Sequence, residues 1–312
     1  MFLKYINKPS LQNGRFFSAQ SASQQTNNVT ISAQQLHQLI LNQAISPSVT
    51  IFNATLKRAD LNPREDHIKA RIPSSIMYDF ERLADQSQSA PYMLPTDEQF
   101  SKEMEKMDAR KSDTFIVYDK SGMLSAPRAY WMLKSYGVSN VKILDGTFNR
   151  WVQEGFGVEQ GETENAFKRV RQSKPKADDF DFKIDQNRFL KFEEVLKIKE
   201  INQQKTQSER VPFLDSRFTK NYDDGHIPTS ATYPFTEVLN ADRSFKTKEE
   251  LIAGFKAQGI NDPTNDKVVF TCQRGITACI LEAAISILGN TNAQVYDGSY
   301  EEYQRKIKNI QQ

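Results

Sequence analysis

Residues 115–155 read FIVYDKSGMLSAPRAYWMLKSYGVSNVKILDGTFNRWVQEG, and residues 268–304 read VVFTCQRGITACILEAAISILGNTNAQVYDGSYEEYQ. Each stretch runs through an apolar β-branched strand, a polar turn, a mostly apolar helix, a glycine stop and a second strand. Each then ends on Asp-Gly-Thr/Ser followed by an aromatic residue. At one constant spacing, Gly137 falls with Gly289, Asp145 with Asp297 and Trp151 with Tyr303. Upstream, Ile72-Pro73 pairs with Ile227-Pro228, and TIFNA (50–54) pairs with PFLDS (212–216). The body is therefore an internal duplication of one α/β unit. Continuous apolar strands alternating with helices point to a parallel sheet covered on both faces. In such sheets ligands bind beyond the carboxyl ends of the strands.

The chain has 312 residues, a length that suits two domains. Residues 29–160 and 183–312 hold the two copies. Between them, 161–182 begins GETENAFKRVRQSKPKADDF, a polar, highly charged stretch that reads as a crossing linker. Residues 1–28 carry Lys4, Lys8 and Arg15 and no acid, and the first acidic residue of the chain is Asp60. A basic, Ser-rich, amphipathic leader of this kind predicts a mitochondrial transit peptide and delivery to the matrix. Arg15-Phe16-Phe17-Ser18 resembles the arginine-plus-aromatic context of matrix-processing sites.

Composition removes several function classes. Lys+Arg is 41 and Asp+Glu 39, a net charge of +2, which lacks the basic footprint of a nucleic-acid binder. No apolar run approaches the roughly 18 residues of a membrane span. Two cysteines exclude a disulfide framework and a four-cysteine zinc site. His37, His67 and His226 show no metal-ligand spacing, so no metal site is expected.

Where the copies diverge, the chemistry emerges. The strand end carries Asp119 in the first and Cys272 in the second. After Cys272 come Gln273, Arg274, Gly275, Ile276 and Thr277, and Ala278 opens the helix. Successive N–H groups in such a turn form an anion cradle, and the helix N-terminus adds its dipole. Arg274 adds a full charge, so the turn favours the anionic, nucleophilic form of a thiol. Thr277 is expected either to cap the helix or to donate to the sulfur. Cys279, inside ACILEAAISIL, reads as an inert core residue. Cysteine phosphatases need an arginine six positions after the nucleophile, where this chain has Ala278. The shorter ring suits a smaller group, such as a persulfide sulfur.

Further motifs accumulate in order: NPRED…ARIPSS (62–75), PYMLP (91–95), FLDSR (213–217), GHIPTSATYPF (225–235), TCQRGITA (271–278) and YDGSYEEY (296–303). With them the chain resembles the two-domain rhodaneses, the thiosulfate and 3-mercaptopyruvate sulfurtransferases. The resemblance implies an α/β fold of two tandem rhodanese domains, each a five-stranded parallel sheet flanked by helices. The first domain would be inactive and the second catalytic. It further implies that Cys272 takes a sulfur from thiosulfate or 3-mercaptopyruvate as a persulfide and passes it to cyanide or to a thiol such as thioredoxin or glutathione. The loop residues Gln273, Arg274, Gly275, Ile276 and Thr277 would bind substrate, with Arg217 and the position of Asn221 beside them. Two departures bear on the donor. Arg274 stands where thiosulfate enzymes carry a cation, whereas Asn221 stands where relatives of both kinds carry an arginine. Arg71 replaces a histidine common before Ile-Pro. The alternative reading is a non-catalytic rhodanese-like binding module, against which Cys272 and its complete loop argue.

Overall fold

The computed structural model describes residues 29–310 except 43–47, 89 and 172, so the leader lies outside the described residues. Strands β1 (Thr30–Ile31), β2 (Val49–Asn53), β3 (Ser75–Met77), β4 (Thr114–Tyr118) and β5 (Val141–Leu144) form the first sheet, in the order β1-β5-β4-β2-β3. Strands β6 (Phe189–Leu190), β7 (Phe213–Asp215), β8 (Ala231–Thr232), β9 (Val268–Thr271) and β10 (Ala293–Tyr296) repeat that order as β6-β10-β9-β7-β8. Every pairing is parallel. The duplicated unit of the sequence is thus one five-stranded α/β sheet, made twice.

The central strands explain their own composition. FIVY of β4 and VVFT of β9 are buried throughout, because helices cover both faces of each sheet. The helix after β4 (Ala126–Ser135) exposes little besides Lys134, and the helix after β9 (Ala278–Ile287) buries all but Ser286. A helix lying on one sheet needs only one apolar stripe. These two need more, because they also pack against each other across the domain interface. The largest apolar core accordingly runs through both domains, from Phe115 and Trp131 to Leu281 and Val295. Each sheet's outer face has its own smaller core.

The segment read as a linker is not a free tether. Buried Arg171 pairs with buried Asp113 at 2.5 Å, and Arg110 donates to the Ser173 carbonyl at 2.6 Å. Arg71, fully buried, pairs with Glu159 at 2.8 Å and donates to the Gly161 carbonyl at 2.8 Å. Charge that looks solvated in the sequence is here the means of folding the crossing against the first domain.

His67 belongs to the same join. The Asn53 amide approaches Nδ1 at 3.0 Å, and Nε2 lies 2.8 Å from the Ala166 carbonyl. With Asn53 donating and Ala166 accepting, the ring is neutral with its proton on Nε2. Burial, with nearby Arg71 and Lys120 in the same direction, pushes its pKa down to about 4. The unfolded chain protonates first on acidification, so this contribution is complete above pH ~6.5 and is lost as pH falls toward 4. Unfolding titrations are expected to show roughly 3 kcal/mol lost across that window. In His67→Gln that part of the pH dependence is absent. An unchanged profile in the variant would place the titration elsewhere.

Candidate active site

Cys272 follows Thr271 at the carboxyl end of β9, and the chain turns at residues 273–277 into the helix that starts at Ala278. The thiol is nearly covered, at 2% exposure. Two carbonyls of the turn point away from it. Cys272 O accepts from Tyr300 N at 3.0 Å and Gln273 O from Glu301 N at 3.1 Å, so the helix Ser299–Ile310 offers its first N–H groups to the loop. The Ser299 hydroxyl accepts from Cys272 N at 3.2 Å and lies 3.9 Å from the Cys272 sulfur. Among the described residues, the N–H groups of residues 273–278 meet no protein acceptor.

The first domain shows what such a turn holds. Asp119 occupies the position of Cys272 and is fully buried. Its carboxylate accepts from Ser121 N (2.8 Å), Met123 N (3.2 Å), Ser125 N (2.9 Å) and Ala126 N (2.8 Å). Burial pushes the acid's pKa up, and the four N–H bonds oppose that shift. That turn is one residue longer than the Cys272 turn and closes around two oxygens. The shorter turn follows Cys272 and leaves its N–H groups without a protein acceptor.

Gly275 makes the shorter turn possible. Its φ is +73°, and an added Cβ would run into the Asp297 carbonyl oxygen and within 3.0 Å of Arg128 Nη1. Arg128 comes from the first domain and is fully buried. It donates to Asp297 Oδ1 (2.7 Å), to the Tyr92 carbonyl (2.6 Å) and to the Gly275 carbonyl (3.1 Å). The other Asp297 oxygen accepts from Leu94 N at 2.8 Å. The PYMLP segment of the first domain is thereby tied to the floor of the second domain's loop.

The remaining site residues are distributed as follows. Ile276 is buried beneath the turn. Thr277 takes neither expected role, capping the helix or donating to the sulfur; its hydroxyl bonds Ser216 Oγ at 2.8 Å. Arg217 is buried and grips both Asp215 oxygens (3.0 and 2.7 Å), the Gly225 carbonyl (2.8 Å) and Gln273 Oε1 (3.2 Å), with its guanidinium over the Tyr300 ring. It fixes Gln273 to the end of β7. Arg274 is half exposed and pairs with Glu301 at 2.6 Å, so its charge is shared with a carboxylate. Asn221 lies exposed on the short helix Thr219–Asp223 after β7. Cys279 is buried as expected, but its thiol donates to the Gly275 carbonyl at 3.2 Å. Burial pushes that thiol's pKa well up, so it remains a protonated donor. Sequence reasoning missed Arg128, Asp297, Ser299 and Glu301. The repeated Asp-Gly and a lone arginine inside the apolar APRAYWML were the available signals. No group of three or more His, Cys, Asp or Glu able to hold a metal occurs among the described residues.

The Rhodanese-like domain family matches residues 51–154 and 197–306. The 3-mercaptopyruvate sulfurtransferase of Escherichia coli is 28% identical over 267 residues, covering 82% of this chain and 89% of its own. Thiosulfate/3-mercaptopyruvate sulfurtransferase 1, mitochondrial, of Arabidopsis thaliana is 28% identical over 279 residues, covering 82% of this chain and 72% of its own. The crystal structure of SseA from Escherichia coli, described with the rhodanese fold and the mechanism of 3-mercaptopyruvate sulfotransferases, superposes with a TM-score of 0.74 at 26% identity. The match covers 87% of this chain and 98% of that one.

Removing the first domain's carboxylate tests the role given to the turn. Asp119→Ala leaves four buried N–H groups without an acceptor. It is expected to cost roughly 3 kcal/mol and to lower Tm by about 5–10 °C. A Tm within a degree or two of wild type would mean that the turn does not need its anion.

Proposed function

The chain belongs to the rhodanese family, and on that premise we propose that it is a sulfurtransferase whose sulfur is carried on Cys272. One observation supports the reading above the others: the turn whose N–H groups bind a carboxylate at Asp119 has a thiol, Cys272, at the matching position of the second domain, and there its N–H groups are unclaimed. The Cys272 thiolate attacks the outer sulfur of a small-molecule donor. An S–S bond forms to the enzyme while the donor's own bond breaks, and the electron pair leaves on sulfite when thiosulfate is the donor. The terminal sulfur of the persulfide rests among the N–H groups, which meet its charge without reorganising. An acceptor nucleophile, cyanide or a thiol such as glutathione or thioredoxin, then attacks that sulfur and returns Cys272 as the thiolate. This is ping-pong covalent transfer. No metal or organic cofactor enters it.

Thiosulfate is the proposed preferred donor. Arg274 is the cation of the loop, and Asn221 offers no charge to the carboxylate of 3-mercaptopyruvate. Glu301 draws on the same guanidinium, so donor binding competes with that ion pair. The leader composition, and a relative named as mitochondrial, support a mitochondrial matrix location. N-terminal sequencing of the endogenous protein is expected to find a start between about residues 16 and 28; an intact Met1 would contradict it.

Cys272→Ala is expected to abolish transfer, while Cys279→Ala keeps activity within about threefold, a thiol being a weak donor. Mass spectrometry after donor treatment is expected to find one added sulfur on the Cys272 peptide. Sulfur recovered on Cys279 instead would reverse the assignment. Arg274→Ala is expected to lower kcat/KM for thiosulfate about tenfold, the lower end for a lost charge-assisted bond, because the side chain is half exposed. Glu301→Gln, which frees the guanidinium, is expected to raise it, and Asn221→Arg to improve 3-mercaptopyruvate use. Faster turnover of 3-mercaptopyruvate by the unmodified protein would refute the donor preference.

A further inference from the structure

The two turns differ in what holds them open. In the first domain the Asp119 carboxylate binds four N–H groups and so fixes the turn from inside. One of these is Met123 N–H, in the peptide that follows Gly122. The matching peptide in the second domain is Gly275–Ile276. A trans peptide is planar, with its C=O and N–H pointing in opposite directions. Whatever fixes the Gly275 carbonyl therefore also aims the Ile276 N–H. Two donors meet that carbonyl: Arg128 Nη1 at 3.1 Å from the other domain, and the Cys279 thiol at 3.2 Å from the next helical turn. Arg128 is itself fixed at two other points, the Tyr92 carbonyl and Asp297, and its guanidinium lies over Trp131, 4.6 Å from the ring centre. At the corresponding place in the second domain's helix stands Ile280, so the first turn receives no such donor in return.

We propose that Arg128 is a positioning residue for Cys272: the first domain reaches across the interface and, with the Cys279 thiol, holds the Gly275 carbonyl outward so that the Ile276 N–H faces the reacting sulfur. The proposal rests on the sulfur-transfer reading of Cys272. It gives the domain without a nucleophile a defined part in the reaction. It also accounts for a fully buried arginine, whose desolvation is costly unless its donors are used.

Arg128→Lys tests it. Lysine keeps a cation for Asp297, but one ammonium cannot span the Tyr92 carbonyl, Asp297 and the Gly275 carbonyl together. Two readouts are combined: steady-state kinetics with thiosulfate, and the pH profile of Cys272 alkylation by iodoacetamide. The charged or titratable groups around the turn are Arg128, Asp297, Cys279, Arg217, Asp215, Tyr300, Arg274, Glu301 and, behind Cys279, Glu282. The expected result is kcat lowered at least tenfold with KM within about threefold, and an alkylation profile displaced to higher pH. Arg150→Ala breaks another interdomain ion pair, to Asp242, without touching the turn, and is expected to leave both readouts unchanged. Alkylation needs no sulfur donor, so it reports on the turn even if the protein proved inactive in transfer. Should Arg128→Lys fail to fold, Asp297→Asn keeps the shape and loosens the guanidinium, and is expected to displace the profile in the same direction. A folded Arg128→Lys with wild-type kinetics and profile would overturn the proposal. So would the same displacement in Arg150→Ala, or failure of both loop variants to fold, which would make the contact structural alone.

Discussion

A parallel strand that turns directly into a helix leaves a ring of backbone N–H groups with no carbonyl to take them. Where that turn is buried, the ring needs an acceptor, and the positive end of the helix favours an anion. Both halves of this chain are built around that requirement. Asp119 meets it with a fixed carboxylate, whereas the Cys272 turn leaves its N–H groups open, and in the proposed reaction the transferred sulfur fills them. The chemistry of the protein is the difference between a permanent and a replaceable occupant of one backbone feature.

The helix behind each ring determines the rest of the architecture. Because the two helices pack on one another, each turn sits against the opposite domain, and the contacts come in matched pairs. Asp145 accepts from Phe245 N at 2.9 Å, as Asp297 accepts from Leu94 N at 2.8 Å. The symmetry is broken at Arg128, which faces the Cys272 turn, while Ile280 holds the equivalent place. Position 275 takes only glycine, since the Asp297 carbonyl of its own domain and Arg128 of the other leave no room for a side chain.

Features carried by contiguous residues were legible in the sequence: the strands, the turn, the duplication, and the Asp-for-Cys divergence. Each is a local pattern of period or composition. Features formed by residues far apart in the chain were not. Nothing next to Arg274 announces Glu301, which arrives from the following helix, and nothing next to Gly275 announces Arg128, which arrives from the other domain. Thr277 looked like a cap because it precedes a helix, but Ser216 takes its hydroxyl. The crossing segment looked solvated because its charges are many. Their partners, Asp113 for Arg171 and Arg110 for Asp179, belong to the first domain, and buried pairs such as Arg171–Asp113 are invisible to composition.

An occupant that must leave and return cannot also be the element that shapes its own pocket. In the first domain the carboxylate does both tasks, and its turn is self-sufficient. In the reaction proposed for the second domain the sulfur's charge and size change through each cycle, so the turn has to be held by groups that do not react. Those groups lie outside it: Ser299 on the Cys272 amide, Arg217 on Gln273, and Arg128 with Cys279 on the Gly275 carbonyl. Of these only Arg128 belongs to the other copy. Deleting that copy would expose one face of the helix Ala278–Ile287 and release the Gly275 carbonyl together. On this reading the domain that carries Asp119 in place of a nucleophile has a mechanical part: it supplies both the apolar surface and the fixed donor that a turn with a changing occupant cannot supply for itself.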